Sequence, residues 1–211
     1  MMAKPNLKEI DFYFITDSKL TKKSIIEDTK AAIEAGVKIV QYREKDLPTK
    51  KLVEEAAQLK DICKDKAIFL INDRIDIALA VNADGVHIGQ DDMPYETARL
   101  LLGQDKIIGI TTHNIKEARE AEKLGANYVG ASPIYETKTK LDAGKPAGIK
   151  LIEDIKNTIN LPIIGIGGIK LDNTPEVIKA GADSVVAMSA VIPKDVKEEC
   201  KKFIDIIIKN K

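Results

Sequence analysis

The sequence has no excess of charge of either sign: 33 Lys and Arg residues offset 33 Asp and Glu, for a formal net charge of zero. No global field therefore draws nucleic acid or an anionic membrane to the chain, and any recognition of phosphate has to be local. Cysteine is scarce. Cys63 and Cys200 lack metal-site spacing and are too few for a disulfide scaffold; each falls on the apolar stripe of a predicted helix, where a thiol acts as a small buried hydrophobe. Long apolar runs are missing too. Nothing approaches the span of a bilayer, and the segment 1–9 is a lysine-bearing, proline-broken tail without the apolar stretch of a secretory leader. These absences predict a soluble cytoplasmic protein, with no nucleic-acid or membrane partner. They leave oligomeric state open, a homo-oligomer included. At 211 residues the whole chain is expected to be a single α/β domain.

What is present is alternation. Strand-like runs at 12–17, 37–45, 67–71, 84–88, 106–111, 127–131, 161–164 and 184–188 alternate with as many helical patterns, and no compositional break marks a linker. The first helical pattern begins at Thr21, and Asn114 with Glu117 forms a capping-box signal before the helix that ends at Gly125. Eight short β-α units in a row fit a trimmed (β/α)8 TIM barrel better than an open doubly wound sheet. The joints Ala35-Gly36-Val37, Gly125-Ala126-Asn127 and Gly181-Ala182-Asp183 resemble one another. Between 132 and 148 the chain is too polar, and too broken by Gly and Pro, for a regular element, and a long mobile loop is expected there.

The stretch 72–92 organises the functional reading. Asn72 and Asp73 close one apolar run, and Asp91 and Asp92 close the next. If both runs are parallel strands, Asp73 and Asp92 emerge at one edge and can share a Mg²⁺ ion, which takes one or two carboxylates and completes its shell with phosphate oxygens and water. A helix cap is an equally good reading of Asp73 followed by Asp76. On the second strand, Gln41, Arg43 and Lys45 project to one face and Tyr42 and Glu44 to the other, continuing the apolar row Val37, Ile39 with one amide and two cations. By itself that row also fits a solvated strand end. In a barrel every strand end faces one rim, which gathers Gln41, Arg43, Lys45, Asn72, Asp73, Asp92, Thr111, Thr137, Thr139, Lys140, Gly167, Gly168 and Ser189 in one mouth. Gly165-Ile166-Gly167-Gly168 suits a phosphate site after strand seven, although a tight turn explains such a run as well, and the spacing is not that of a dinucleotide fingerprint.

Gln41-Tyr42-Arg43-Glu44-Lys45, Asn72-Asp73, the run from Asp84 to Asp92, Pro133-Ile134-Tyr135 with Thr137, Thr139 and Lys140, and Gly165 to Ile169 together resemble the thiamine-phosphate synthase family. That resemblance implies a transferase joining 4-amino-2-methyl-5-(diphosphooxymethyl)pyrimidine to 4-methyl-5-(2-phosphoethyl)thiazole, with release of pyrophosphate through a pyrimidine-methyl cation. It implies that Gln41, Tyr42, Arg43, Glu44, Lys45, Asn72, Thr111 and Lys140 hold the pyrimidine diphosphate. By the same resemblance Arg43, Lys45, Thr111 and Lys140 would be the catalytic set, and Asp73 and Asp92 would hold Mg²⁺. Thr137, Lys138, Thr139, Gly168, Met188 and Ser189 would hold the thiazole phosphate. The chain departs from the family where Thr111 stands for a common Ser, and where Ala131-Ser132 and Glu136 replace a usual glycine and proline. The runner-up is the related thiazole tautomerase, for which His113 would matter. A non-catalytic phosphate-binding barrel is the third reading. His87, between Val86 and Ile88, reads as a hydrogen-bonded structural histidine.

Overall fold

The structure, a computed structural model, describes residues 6–137, 139 and 144–211. Eight strands, β1 (Tyr13–Ile15), β2 (Ile39–Tyr42), β3 (Ile68–Asn72), β4 (Gly85–Ile88), β5 (Ile107–Thr112), β6 (Tyr128–Ala131), β7 (Ile163–Ile166) and β8 (Ser184–Val186), form one parallel sheet in sequence order. Phe12 bridges Val185 in parallel, and the Ser184 hydroxyl donates to the Asp11 carbonyl at 2.7 Å, so the last strand returns to the first. The result is the expected barrel. Around it lie α1 (Ile25–Glu34), α2 (Thr49–Cys63), α3 (Ile75–Ala80), α4 (Tyr95–Leu102), α5 (Ile115–Leu124), α6 (Lys150–Lys156), α7 (Thr174–Lys179), α8 (Met188–Val191) and α9 (Val196–Asn210).

Alternation along each strand separates two cores. Tyr13, Ile15, Ile39, Ile68, Leu70, Ile107, Tyr128, Ile164 and Val186 fill the barrel interior. Their neighbours Phe14, Val40, Phe69, Val86, Ile108, Val129 and Val185 face outward onto helix residues such as Leu52, Leu59 and Phe203. Both thiols sit in that outer layer as expected, fully buried, and burial pushes Cys63 up to about 12. Of the expected tail, residues 6–9 are described. Leu7–Glu9 make a 3-10 turn whose first residue packs, with Ile10, against the interior cluster. Among the described residues no helix is long and apolar enough to cross a membrane.

Several boundaries shift for local reasons. The first helix starts at Ile25 rather than Thr21, because the Ser24 hydroxyl caps it, accepting from Glu27 N at 3.1 Å and donating to the Glu27 carboxylate at 3.0 Å. The second strand ends at Tyr42, short of Lys45, since the Glu44 carboxylate takes the N–H groups of Lys45 and Asp46, each at 2.8 Å, and turns the chain. Asn114 caps the fifth helix as expected, accepting from Glu117 N at 3.0 Å, while the Glu117 carboxylate takes the Asn114 side-chain amide and the His113 N–H. The three similar joints share one device: Gly36, Gly125 and Gly181 have φ of +101°, +89° and +113°, a left-handed exit that a β-carbon would strain.

Candidate active site

Because the strands are parallel, their C-terminal ends open on one side of the barrel, and a cavity there is lined from β1 round to β8. Of the residues singled out from sequence, Gln41, Arg43, Lys45, Asn72, Asp73, Asp92, Thr111, Thr137, Thr139, Gly168, Met188 and Ser189 all line it. Tyr42 and Glu44 do not, and this corrects the expectation for both. Alternation sends the Tyr42 ring outward, where its hydroxyl donates to Glu55 of α2 at 2.7 Å, and the Glu44 carboxylate is spent on its own turn. Lys138 and Lys140, with 141–143 of the expected loop, lie outside the described residues. The flanking segments are irregular, as the composition predicts, and are tied together where Ala147 N donates to Pro133 O at 2.9 Å and Gly148 N to Ile134 O at 3.0 Å.

The acidic side of the mouth is built from β3 and β4. Asp73 N donates to His87 O at 2.9 Å, which extends the ladder one residue beyond β3. Its φ is +59°, a left-handed conformation costing a non-glycine residue roughly 1 kcal/mol, and one that aims the side chain into the cavity instead of at the helix. Asp73 caps nothing: α3 begins after Arg74 with no side-chain cap, and Asp76 pairs with Arg74 at 2.6 Å. The Asp92 carboxylate accepts from Gly89 N at 2.7 Å. Burial raises the Asp73 carboxyl above its ordinary pKa, and the Asp92 carboxylate within hydrogen-bonding reach raises it further, against a partial offset from Lys45, 3.2 Å away. Two hard oxygen donors crowded in this way fit a small divalent cation. Among the described residues no cluster of three or more His, Cys, Asp or Glu could form an all-protein metal cage, so the fit is to an ion that takes its remaining oxygens from ligand and water.

Beside this pair the Arg43 guanidinium is held by Asp17 at 3.3 Å. Asp17 is buried and also accepts Lys19 N and Leu20 N, so it is anchored before it orients the arginine. Sequence reasoning missed Asp17, although it closes the first strand run with the same polar-end signal as the others. Below the mouth lies a second feature not foreseen, a buried hydrogen-bond chain. Gln41 Nε2 donates to Tyr13 OH at 2.7 Å; Tyr13 OH and Tyr128 OH are 2.8 Å apart; Tyr128 OH is 2.9 Å from His87 Nδ1; and His87 Nε2 is 2.8 Å from Thr111 Oγ1. Burial pushes both phenols well above their ordinary range, so both stay protonated. The expected structural role of His87 is met, since each ring nitrogen has a partner. Glycine makes room for the Tyr128 ring: a β-carbon on Gly109 would lie 2.0 Å from its Cζ.

On the far side, Gly167 and Gly168 take φ of +99° and +63°, and a β-carbon on either would come within 2.8 Å or less of the segment 133–136. The glycines therefore serve the turn, and in doing so they let the backbone line the cavity. β8 stops at Val186, and Met188 and Ser189 belong to the short helix α8 rather than to a strand end. His113 also lines the cavity, but its backbone N–H and Nδ1 both meet the Glu117 carboxylate, at 2.8 and 2.9 Å.

A family model described as thiamine monophosphate synthase matches residues 12–191. The chain belongs to the thiamine monophosphate synthase family. Its relatives include the thiamine-phosphate synthase of Methanosarcina barkeri, 59% identical over 202 residues, covering 95% of this chain and 92% of that protein. That of Clostridium acetobutylicum is 44% identical over 209 residues, covering 97% and 99%. A solved thiamine phosphate pyrophosphorylase from Pyrococcus furiosus superposes with a TM-score of 0.88 at 35% identity over 96% of this chain and 98% of that one. The thiamine monophosphate synthase match runs from the bridge that closes the barrel to the last residue of α8, so it spans every element that lines the cavity.

Proposed function

We propose that the protein is a thiamine-phosphate synthase that joins 4-amino-2-methyl-5-(diphosphooxymethyl)pyrimidine to 4-methyl-5-(2-phosphoethyl)thiazole and releases pyrophosphate. The observation that carries this reading is the meeting of the Asp73 and Asp92 carboxylates with Arg43 and Lys45 at one cavity mouth. Acids alone would repel a diphosphate, and cations alone would not need the acids. Both together suit a diphosphate that arrives with Mg²⁺, held here by Asp73 and Asp92, which when bound supplies charge neutralisation to the leaving group.

In the reaction the methylene C–O bond breaks, its electron pair leaves with the diphosphate, and the thiazole nitrogen lone pair forms the new C–N bond. Arg43 and Lys45 neutralise charge that develops on the departing oxygens, an effect enlarged by the partly enclosed site. Thr111 and Asn72 line the same cavity and would hydrogen-bond the same group. Gly168, Ser189, Thr137 and Thr139 line the same cavity and would take the phosphate of the second substrate, bringing the two reactants into one site. No protein nucleophile is needed for this route. Incubating the protein with both phosphorylated substrates and Mg²⁺ and measuring thiamine phosphate and pyrophosphate tests the reading. Equal amounts of both products are expected; no ring joining with both substrates and Mg²⁺ present would overturn the reading.

A further inference from the structure

The chain from Gln41 to Thr111 crosses the barrel interior and ends at two cavity-lining groups, while its middle members Tyr13 and Tyr128 are fully buried and touch no part of the cavity. Its hydrogens can be counted. Gln41 Nε2 donates to the Tyr13 oxygen, so the single Tyr13 hydrogen goes to the Tyr128 oxygen. The single Tyr128 hydrogen then goes to His87 Nδ1, which makes Nε2 the protonated ring nitrogen, and Nε2 donates to Thr111 Oγ1. The Thr111 hydrogen is left over at the cavity. The opposite order, in which Thr111 donates to His87 and Tyr128 to Tyr13, gives the Tyr13 oxygen two donors and its own hydrogen none of the chain's acceptors, unless the Gln41 amide turns over. A hydroxyl hydrogen left without an acceptor in the dry interior is costly, so the first order is favoured.

We propose that His87, Tyr128 and Tyr13 are positioning residues, a one-directional hydrogen-bond chain that holds His87 as the neutral Nε2–H tautomer and reserves the Thr111 hydroxyl hydrogen for an oxygen of a bound diphosphate. The ligand in this inference rests on the function proposed above. The hydrogen order does not, because the ligand-free fold already sets it. A diphosphate oxygen only accepts, so its binding reinforces the same order and couples the two ends of the chain.

The test is a long-range ¹H–¹⁵N spectrum of the full chain labelled at histidine, in which His113→Asn assigns the two imidazoles. His87 is expected to show a protonated Nε2 and a bare Nδ1, both alone and with Mg²⁺ and inorganic pyrophosphate. Tyr128→Phe keeps the ring but removes the donor to Nδ1. It is expected to release the Nδ1–H tautomer, in which Thr111 donates to His87, and to weaken pyrophosphate binding about tenfold, the loss of one hydrogen bond to a charged acceptor. Tyr13→Phe leaves Tyr128 its own donation and is expected to keep the tautomer. A wild-type His87 protonated at Nδ1, or at both nitrogens, overturns the inference, and so does a folded Tyr128→Phe that binds pyrophosphate as tightly as wild type. Failure of wild type to bind pyrophosphate would overturn the diphosphate reading instead, while the tautomer still judges the chain.

Discussion

Replacing Asp92 by Asn separates what the acidic pair does for the fold from what it does for a cation. The Asn side-chain oxygen can still accept the Gly89 N–H, now donated at 2.7 Å, so the turn is kept and only the charge is lost. In the metal-free protein the Asp73 carboxyl is raised above its unfolded value of 3.8, first by burial and then by Asp92. Between that value and the raised one the folded chain keeps a proton that the unfolded chain has released. Folding therefore weakens as pH rises through this window, and at neutral pH the full penalty is present. Two like charges about 4 Å apart at an effective dielectric near 20 repel by about 4 kcal/mol. Lys45 lies 3.2 Å from Asp73, and Asp73 keeps 21% side-chain exposure, so charge pairing and solvent screening remove much of that. On the order of 1–2 kcal/mol remains for the mutation to relieve, which for a chain of this size is roughly 2–8 °C in Tm. The burial cost of Asp73 is untouched. Thermal melts of both proteins across a Mg²⁺ titration read the outcome. Wild type is expected to be the less stable without Mg²⁺ and to gain about 2.7 kcal/mol at a hundredfold excess over Kd, and Asp92→Asn to start higher and gain almost nothing. A metal-free Asp92→Asn that melts below wild type, or that gains as much from Mg²⁺, would refute the reasoning.

Asp17→Asn keeps the acceptor for Lys19 N and Leu20 N but ends the ion pair that aims Arg43. It should lower kcat/KM for the pyrimidine diphosphate about tenfold with Tm nearly unchanged, which steady-state kinetics beside a melt will check. Gly109→Ala drives a β-carbon to 2.0 Å from the Tyr128 ring in a filled interior. A loss of about 3 kcal/mol or more is expected from overpacking, read as a lower urea midpoint at unchanged slope.

Most of the architecture was legible because it depends on local regularities. Alternation sorts Tyr13 from Phe14 and Gln41 from Tyr42 without reference to any other segment, and parallel strands then bring their ends to one rim. That argument also placed Tyr42 and Glu44 on the opposite face from Arg43, and the geometry agrees with the alternation rather than with their assignment to the diphosphate. Boundaries were less legible where side chains compete for backbone groups, as Ser24 and Glu44 do.

What sequence alone determined is therefore the strand and helix order, the barrel, and the set of polar strand ends that could meet. Each of these follows from spacing within a few residues. Only the tertiary structure decided that Asp92 comes close enough to raise the Asp73 carboxyl, that Asp17 takes Arg43, and that two tyrosines and a histidine link Gln41 to Thr111 through the interior. Those contacts join residues 19 to 115 positions apart. They depend on how the barrel closes and on which glycines leave space for a ring, and neither is encoded in the neighbourhood of any one of the residues concerned.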